Sequence, residues 1–518
     1  MREGRNIPES FSKFLLTASK ATGPQLSRLA ATPFIRNRIT REVEKMLLNW
    51  LKESRSNPDL LPGVEDDRIA IGLAIMGSID RALAGNYLSD STIRAILQLL
   101  VKGLFFDQGD QTRAQIFQQQ YGQKPPSFLL ISPSKACNLH CTGCYADSTE
   151  QPRSLDWDIV DRMITEAKDL WGARFFVFSG GEPFAYRSND KGILELIEKH
   201  SDCFFMTYTN GTLINDEISR RLAEDGNMLL CISVEGWRER TDERRGKGVF
   251  DTVLATMDRL KCDGVPFGIS LTGTRHNAEE ILSDDFIDFF MEKGALFAWL
   301  FQYMPIGRAY TLDIMVTPEQ RTWMWRRSWQ IVREKRFFLA DFWNSGTACD
   351  GCLSAGGHGS GGYFYVDWNG AVSPCVFMPY SPVNIKQVYA RDGNLNDVWN
   401  DPFFHALRNW QKEYKAARRN GLAPCPNRDH HEELEPLLLQ YEPEPIDENA
   451  AQTLVDPFYT SGLKEYNRQF ESLTGEIWRK HYVEGVDCAD DHVSALPELP
   501  FIKLENGRVK ADDYTPKK

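Results

Sequence analysis

The sequence predicts an α/β fold organised around a parallel sheet, and three observations carry that prediction. From Ser127 onward, short apolar runs alternate with longer stretches of helical periodicity, the pattern of consecutive βα units. Before that point the periodicity is helical, and beyond Pro318 the alternation stops. Six units are expected, with strands at Phe128–Ile131, Phe175–Phe178, Phe204–Tyr208, Leu229–Val234, Phe267–Leu271 and Leu296–Phe301, and helices such as Val249–Leu260 and Ile281–Met291 between them. Six parallel strands satisfy either an open doubly wound sheet or an incomplete barrel. Both bind ligands at the C-terminal ends of their strands, so function is read from the residues just after each strand.

In the N-terminal region, Ile39, Val43, Met46, Leu47, Trp50 and Leu51 recur at the three-to-four spacing of an amphipathic helix, and helical patterns continue to about Phe106. Residues 1–56 hold eleven Lys or Arg against five Asp or Glu. This basic stretch reads as a solvated helix face, with peripheral contact to an anionic lipid surface as the alternative. The apolar run Ile69–Ile79 meets Asp80 and Arg81 before the ~18–20 residues of a bilayer span, so no transmembrane helix is expected. The opening MREGRNIPESF shows neither a basic-then-apolar signal nor a small-residue cleavage site, which points to a cytoplasmic, reducing location.

Beyond Pro318 a Trp-rich helical stretch, Arg321–Val332, leads into a cysteine-bearing segment from Cys349 to Cys425. Within it Asn369-Gly370 separates two strand-like runs, a type I′ hairpin signal. Tyr441-Glu-Pro-Glu-Pro-Ile-Asp-Glu reads as a linker, followed by an amphipathic helix near Leu463–Tyr482 and a polar tail. The expected organisation is a helical domain over 1–125, a βα core over 126–318, a cysteine-bearing domain over 319–440, and a linker, helix and tail over 441–518.

The 518 residues are 42% apolar and 25% charged, values of an ordinary globular protein. A net charge of −12 and a pI near 5.4 exclude wholesale nucleic-acid binding. Eleven cysteines in a reducing compartment call for a role other than disulfides.

Directly after the first expected strand comes Cys137-Asn-Leu-His-Cys141-Thr-Gly-Cys144-Tyr145, a C-x3-C-x2-C run. Three thiolates this close can share one metal centre. Structural zinc wants a fourth protein ligand, whereas a [4Fe–4S] cluster on three cysteines leaves one iron open for an exogenous ligand. His140 adjoins Cys141 too closely to converge comfortably on the same ion. Ser179-Gly180-Gly181-Glu182-Pro183 follows the second strand, Thr209-Asn210-Gly211 the third, and Ser233-Val-Glu235-Gly236 the fourth, with Arg245-Gly246 downstream. Glycines permit close backbone approach, a carboxylate suits a cation, and an arginine fork suits a carboxylate.

Four such motifs in order, each at a strand end, make the chain resemble the radical S-adenosylmethionine superfamily. That resemblance implies a partial (β/α)6 TIM-like barrel with a helical N-terminal domain and a small C-terminal iron–sulfur extension. It implies a [4Fe–4S] cluster on Cys137, Cys141 and Cys144, with S-adenosylmethionine bound by Tyr145, Gly180, Gly181, Glu182, Asn210, Ser233, Glu235 and Arg245. In relatives the GGE segment takes the methionine ammonium, and the Ser and Arg contact the ribose and the methionine carboxylate. Glu235 stands where Asp is more frequent. The implied chemistry is reductive cleavage of the cofactor to a 5′-deoxyadenosyl radical that abstracts hydrogen from a substrate.

Cys349-Asp-Gly-Cys352, Cys375 at the end of the hairpin, and Pro424-Cys425-Pro426 supply four further thiols. Thiolate chemistry alone admits zinc. The segment also resembles the SPASM or twitch extension of radical enzymes, which implies an auxiliary [4Fe–4S] cluster; four cysteines match one such cluster rather than two. Cys203, Cys231 and Cys262 read as buried or half-buried residues, and Cys488 is unassigned. The glycine-rich stretch Ser354–Gly362 lacks the Lys-Ser/Thr ending of a phosphate loop, and His358, His430 and His431 read as structural or solvated. The resemblance implies a low-potential flavodoxin or ferredoxin as electron donor, and a peptide or a lipid or other apolar molecule as substrate. A non-catalytic zinc scaffold and an iron–sulfur electron carrier are the rival readings.

Overall fold

The computed structural model describes residues 32–486 apart from 56, 58, 102–107, 150–152, 350 and 353–361, together with a short strand pair at Leu504–Glu505 and Arg508–Val509. Four helices open the described chain: α1 (Pro33–Arg55), α2 (Pro62–Ala84), α3 (Asp90–Val101) and α4 (Gln108–Tyr121). In α1, Val43 and Trp50, one heptad apart, are buried while Leu48 stays exposed, as an amphipathic helix demands. Asp67 of α2 is fully buried and accepts hydrogen bonds from Arg333, Thr347 and Tyr482. One carboxylate thus ties the N-terminal helices to the C-terminal third of the chain, and burial pushes its pKa up while Arg333 opposes the shift.

Strands β1 (Phe128–Ile131), β2 (Phe175–Phe178), β3 (Phe204–Thr209), β4 (Met228–Val234), β5 (Phe267–Gly273) and β6 (Phe297–Gln302) lie at the six expected positions and pair in sequence order, all parallel. Two further parallel strands extend this sheet across the expected boundary at 318. β7 (Phe338–Asp341) pairs with β6, and β8 (Tyr363–Val366) pairs with β1, Leu129 opposite Phe364. The sheet therefore curls through eight parallel strands and stops between β7 and β8, which do not pair. An incomplete barrel it is, with eight parallel strands where six were expected.

The helices cover the outside of this sheet by burying one face. Between Trp157 and Trp171, the side chains of Val160, Met163, Ile164, Ala167 and Trp171 are buried, each large apolar one contributing roughly 1.5–3 kcal/mol. The helix ends at Gly172, left-handed at φ +70°, where a Cβ would come within 2.6 Å of the Asp110 carbonyl. The expected helix 281–291 is two helices, Ala278–Ile281 and Asp284–Lys293. Ser283 breaks the run, its hydroxyl accepting from Phe286 N at 3.3 Å as an N-cap. The Trp-rich helix spans Pro318–Glu334, opened by a Thr317/Gln320 capping box.

The hairpin from β8 leads to β9 (Ala371–Ser373), antiparallel to it. Its turn is not type I′, which needs positive φ at both central residues. Only Gly370 is left-handed, at φ +88°, and the Asp367 carboxylate accepts from Asn369 N and Ala371 N, both at 2.8 Å. The expected linker is packed: Glu444–Pro445 pairs with Tyr380–Ser381. The C-terminal helix runs Pro457–Ile477 and continues as a π-turn over Trp478–Val483. No described helix is long and apolar enough to cross a membrane.

Candidate active site

The loop after β1 carries Cys137, Cys141 and Cys144 and is held from three sides. Its own return pairs Cys137 N with Thr149 O at 3.1 Å. The β2 loop lies directly on it, with Gly181 N donating to Ser134 O and Glu182 N to Ala136 O. That approach requires glycine: a Cβ at Gly181 would sit 2.1 Å from Ala136 O, and Gly180 is left-handed at φ +111°. From the far side, Arg308 donates to Cys141 O at 2.9 Å and pairs with Asp147 at 3.1 Å.

All three thiols line the C-terminal end of one cavity of about 560 Å³, together with Tyr145, Gly180, Gly181, Asn210, Ser233 and Arg245. Tyr145 bonds Ser179 Oγ at 2.6 Å and accepts from Gly180 N at 3.1 Å, so it holds the glycine turn in place. Asn210 directs its amide at Asn138 Oδ1, 2.9 Å, and at the Cys137 sulfur, 3.8 Å. Leu139 N donates to that sulfur at 3.4 Å.

Glu182 and Glu235 are not on the cavity wall. The Glu182 carboxylate, 1% exposed, accepts from Thr209 Oγ1 at 2.7 Å, Asn210 N at 2.8 Å and Phe184 N at 3.1 Å. It fastens the β2 loop to the β3 loop instead of facing an ammonium, and burial raises its pKa. Glu235 is equally buried and spans two arginines, Arg244 at 2.6 Å through one oxygen and Arg245 through the other. Both arginines line the cavity. Burial opposes the Arg245 charge, yet Glu235 and the thiols of Cys141 and Cys144 keep its pKa above the ordinary value.

The donor set fits an iron–sulfur cluster. Burial pushes the Cys137 thiol up to about 11, with the charges of Glu182, Cys141 and Cys144 acting the same way, and burial raises Cys141 too, so these two sulfurs become thiolates only against a cationic centre. Amide donors already point at the sulfur, as cluster thiolates need. Among the described residues no three His, Cys, Asp or Glu side chains converge tightly enough for a single ion. His140 is exposed and lies off the cavity wall.

Cys352, Cys375 and Cys425 line a second, small cavity together with Phe342, Trp343 and Phe377. Phe342 and Phe377 also line the first, and their rings pack at 5.6 Å. The Cys375 sulfur bonds Tyr363 OH at 2.9 Å and accepts from Phe377 N at 3.4 Å. Three soft thiols with amide and hydroxyl donors again suit iron–sulfur. Cys349 falls at the end of a short 3-10 turn, Gly346–Cys349, with its side chain outside the described residues, as are His358, the glycine-rich stretch before Gly362 and Cys488. His430 and His431 are buried, hydrogen-bonded to the carbonyls of Ala423 and Asn427. Cys203 and Cys231 are buried, but Cys262 is exposed.

Sequence reasoning missed Tyr303 and Arg308. Both follow β6, where the rule of reading strand ends would have found them. Gly143, left-handed at φ +64°, brings the cysteine loop against Tyr303, whose ring would meet a Cβ there at 2.9 Å.

The radical SAM superfamily model matches residues 131–285, and the SPASM iron–sulfur cluster-binding domain matches residues 358–427. An AdoMet-dependent heme synthase of Methanosarcina barkeri is 26% identical over 55% of this chain and 85% of its own length. A mycofactocin maturase of Mycobacterium ulcerans is 27% identical over 57% of this chain and 80% of its own. The Fe-coproporphyrin III synthase of M. barkeri is 28% identical over 31% of this chain, which spans 41% of that protein's length. Three thiols on the loop after β1, glycines and an arginine at the following strand ends, and a second thiol cluster beyond the barrel agree with both domain matches: the chain carries a radical SAM superfamily domain and a SPASM iron–sulfur cluster-binding domain, which imply an enzyme with a [4Fe–4S] cluster, S-adenosylmethionine and auxiliary iron–sulfur.

Proposed function

We propose that Cys137, Cys141 and Cys144 hold a [4Fe–4S] cluster, that S-adenosylmethionine lies against the Gly180–Gly181 turn, Asn210, Ser233 and Arg245, and that hydrogen is abstracted from a substrate carbon in the same cavity. The observation that carries this reading is the single cavity shared by the three thiols, the glycine turn and the paired arginines. When bound, the reduced cluster and S-adenosylmethionine supply a 5′-deoxyadenosyl radical. The chain's own residues bind, orient and exclude water. Arg245, held by Glu235, offers a fixed cation to a carboxylate. Asn210 and Leu139 N tune the Cys137 sulfur. Trp299, Phe301, Phe342 and Phe377 wall the cavity with apolar surface that keeps water from a radical.

Cys349, Cys352, Cys375 and Cys425 would hold one auxiliary [4Fe–4S] cluster, and a low-potential flavodoxin or ferredoxin would deliver the electron. Relatives named as maturases favour a peptide substrate; the apolar cavity walls favour a lipid or another apolar molecule. The test is anaerobic reconstitution, reduction with dithionite in the presence of S-adenosylmethionine, and chromatography for 5′-deoxyadenosine. The wild type should form it and Cys141→Ala should not. Zinc in place of iron, or full iron with no 5′-deoxyadenosine, overturns the reading in favour of a scaffold or an electron carrier.

A further inference from the structure

The cavity does not end at the cofactor-binding rim. The bore of an ordinary (β/α)8 barrel is filled by layers of inward-facing side chains, but here the same cavity continues down the bore to the N-terminal ends of the strands. Phe128, Phe175, Phe204, Leu229, Leu296 and Phe338, at or next to the first residues of their strands, line it. Most of these side chains are only half-buried although they point into the barrel, so their apolar surface faces the bore and not a packed core. Ile75 and Ile79 of α2 and Ile96 of α3 form the floor, and Ile75 is 37% exposed.

The two ends of this cavity differ in chemistry. Thiols, glycine amides, Asn210, Ser233 and the two arginines lie at the C-terminal end. Below the level of Tyr208 and of Ser233, Ser270 and Trp299, which pair in register across β4, β5 and β6, the polar side-chain atoms of the lining are Ser78 Oγ and Tyr363 OH, and both are committed. Ser78 Oγ accepts from Phe338 N at 3.2 Å and from Arg81 at 3.0 Å, and Tyr363 OH bonds the Cys375 sulfur. A peptide threaded there would leave its amides without partners, a cost that an all-carbon chain does not carry. Strands of four to seven residues give the bore a length of roughly 13–23 Å at ~3.3 Å per residue, the reach of a long alkyl chain.

We infer that the barrel bore holds the hydrocarbon tail of a lipid substrate, running from the floor on α2 and α3 up to the cofactor at the cysteine loop. The inference rests on the proposed radical reaction for what happens at the upper end. Binding of the tail needs only the bore. The tail lies along the barrel axis, which brings one of its carbons to the level of Ser233 and Tyr208, where the polar and apolar halves of the lining meet.

The test is titration of the reconstituted full-length protein with parinaric acid, a fluorescent long-chain fatty acid, with palmitate as competitor. Saturable binding at one site per chain, reversed by palmitate, is expected. Ile79→Trp and Leu229→Trp, which fill the bore, should each weaken binding by about tenfold or more, while Ile79→Ala retains it. Only variants that keep the wild-type melting temperature are compared. Parinaric acid that fails to saturate, or that binds both filled variants as well as the wild type, overturns the inference. Displacement by apolar peptides but not by palmitate overturns it too. Wild-type 5′-deoxyadenosine formation is measured on the same preparation. Its absence with palmitate-reversible binding intact would remove the radical reading and leave the bore, and its presence without lipid binding would do the reverse.

Discussion

Arg245 and Glu235 form one buried ion pair beyond the end of β4, with Arg245 Nε donating to Glu235 Oε1 at 2.8 Å and only 1% of the glutamate side chain exposed. The other carboxylate oxygen holds Arg244 at 2.6 Å, and Arg244 in turn donates to Thr142 O within the cysteine loop at 3.1 Å. A glutamate reaches both arginines from this position, and an aspartate is one methylene shorter. Glu235→Asp should therefore release one guanidinium and weaken S-adenosylmethionine binding by about tenfold, or ~1.4 kcal/mol, as read by calorimetric titration. Glu235→Ala should also cost about 3 kcal/mol of stability, the lower end for a broken buried pair, because both arginines keep some exposure.

Gly181 is predicted to tolerate no side chain. Its Cβ would meet Ala136 O at 2.1 Å, backbone against backbone, with no flexible side chain to give way. Gly181→Ala should separate the β2 loop from the cysteine loop, lower the melting temperature by an amount equivalent to at least ~1–3 kcal/mol, and reduce iron retained after reconstitution. Gly122→Ala makes the control, since nothing lies within 4 Å of its added Cβ and its only penalty is a left-handed backbone at φ +70°.

The first six strands were legible because each is a short apolar run flanked by helical periodicity, and the strand-end motifs followed from their positions. β7 was hidden for a local reason. The turn from the Trp-rich helix into Phe338 is made by Arg336 in a left-handed conformation, φ +48°, which no glycine or asparagine advertises. β8 was legible as one arm of a hairpin, but its parallel pairing with β1 is a contact between distant segments that periodicity does not encode. The GGE motif was legible too, but the direction of its carboxylate was not: Glu182 turns toward Thr209 and Asn210 because the β2 and β3 loops lie side by side.

Asp367 in the β8–β9 turn predicts a pH dependence of stability. Burial pushes its pKa to about 6 against the pull of three backbone amides, and its second oxygen, Oδ2, is buried without a hydrogen-bond partner, a place for a proton. The folded state therefore binds this proton more tightly than the unfolded chain, whose aspartate titrates near ~3.9. The stabilisation is complete below about pH 4 and is lost as pH rises through about 6. The loss amounts to roughly 2–3 kcal/mol at ~1.4 kcal/mol per pKa unit. Denaturant melts of the wild type across this window should show the decline, and Asp367→Asn, which keeps an acceptor for Asn369 N and Ala371 N, should flatten it.

Tyr363 lines the large cavity and also bonds an auxiliary thiol. Its hydroxyl lies 2.9 Å from the Cys375 sulfur, and its ring stacks on Phe128 at 4.9 Å. Removing a hydrogen bond to a cluster sulfur makes the cluster harder to reduce, because the donor stabilises the extra negative charge of the reduced state. With two cubanes the wild type should carry about eight irons per chain. Cys141→Ala and Cys375→Ala should each lose about four of them. Tyr363→Phe should retain the full load, since no ligand is lost, and should lower the auxiliary midpoint potential by tens of millivolts in an EPR-monitored titration while leaving in place the potential of the cluster proposed on Cys137, Cys141 and Cys144. An unchanged auxiliary potential would mean that the hydroxyl supports only the packing of the hairpin against β1.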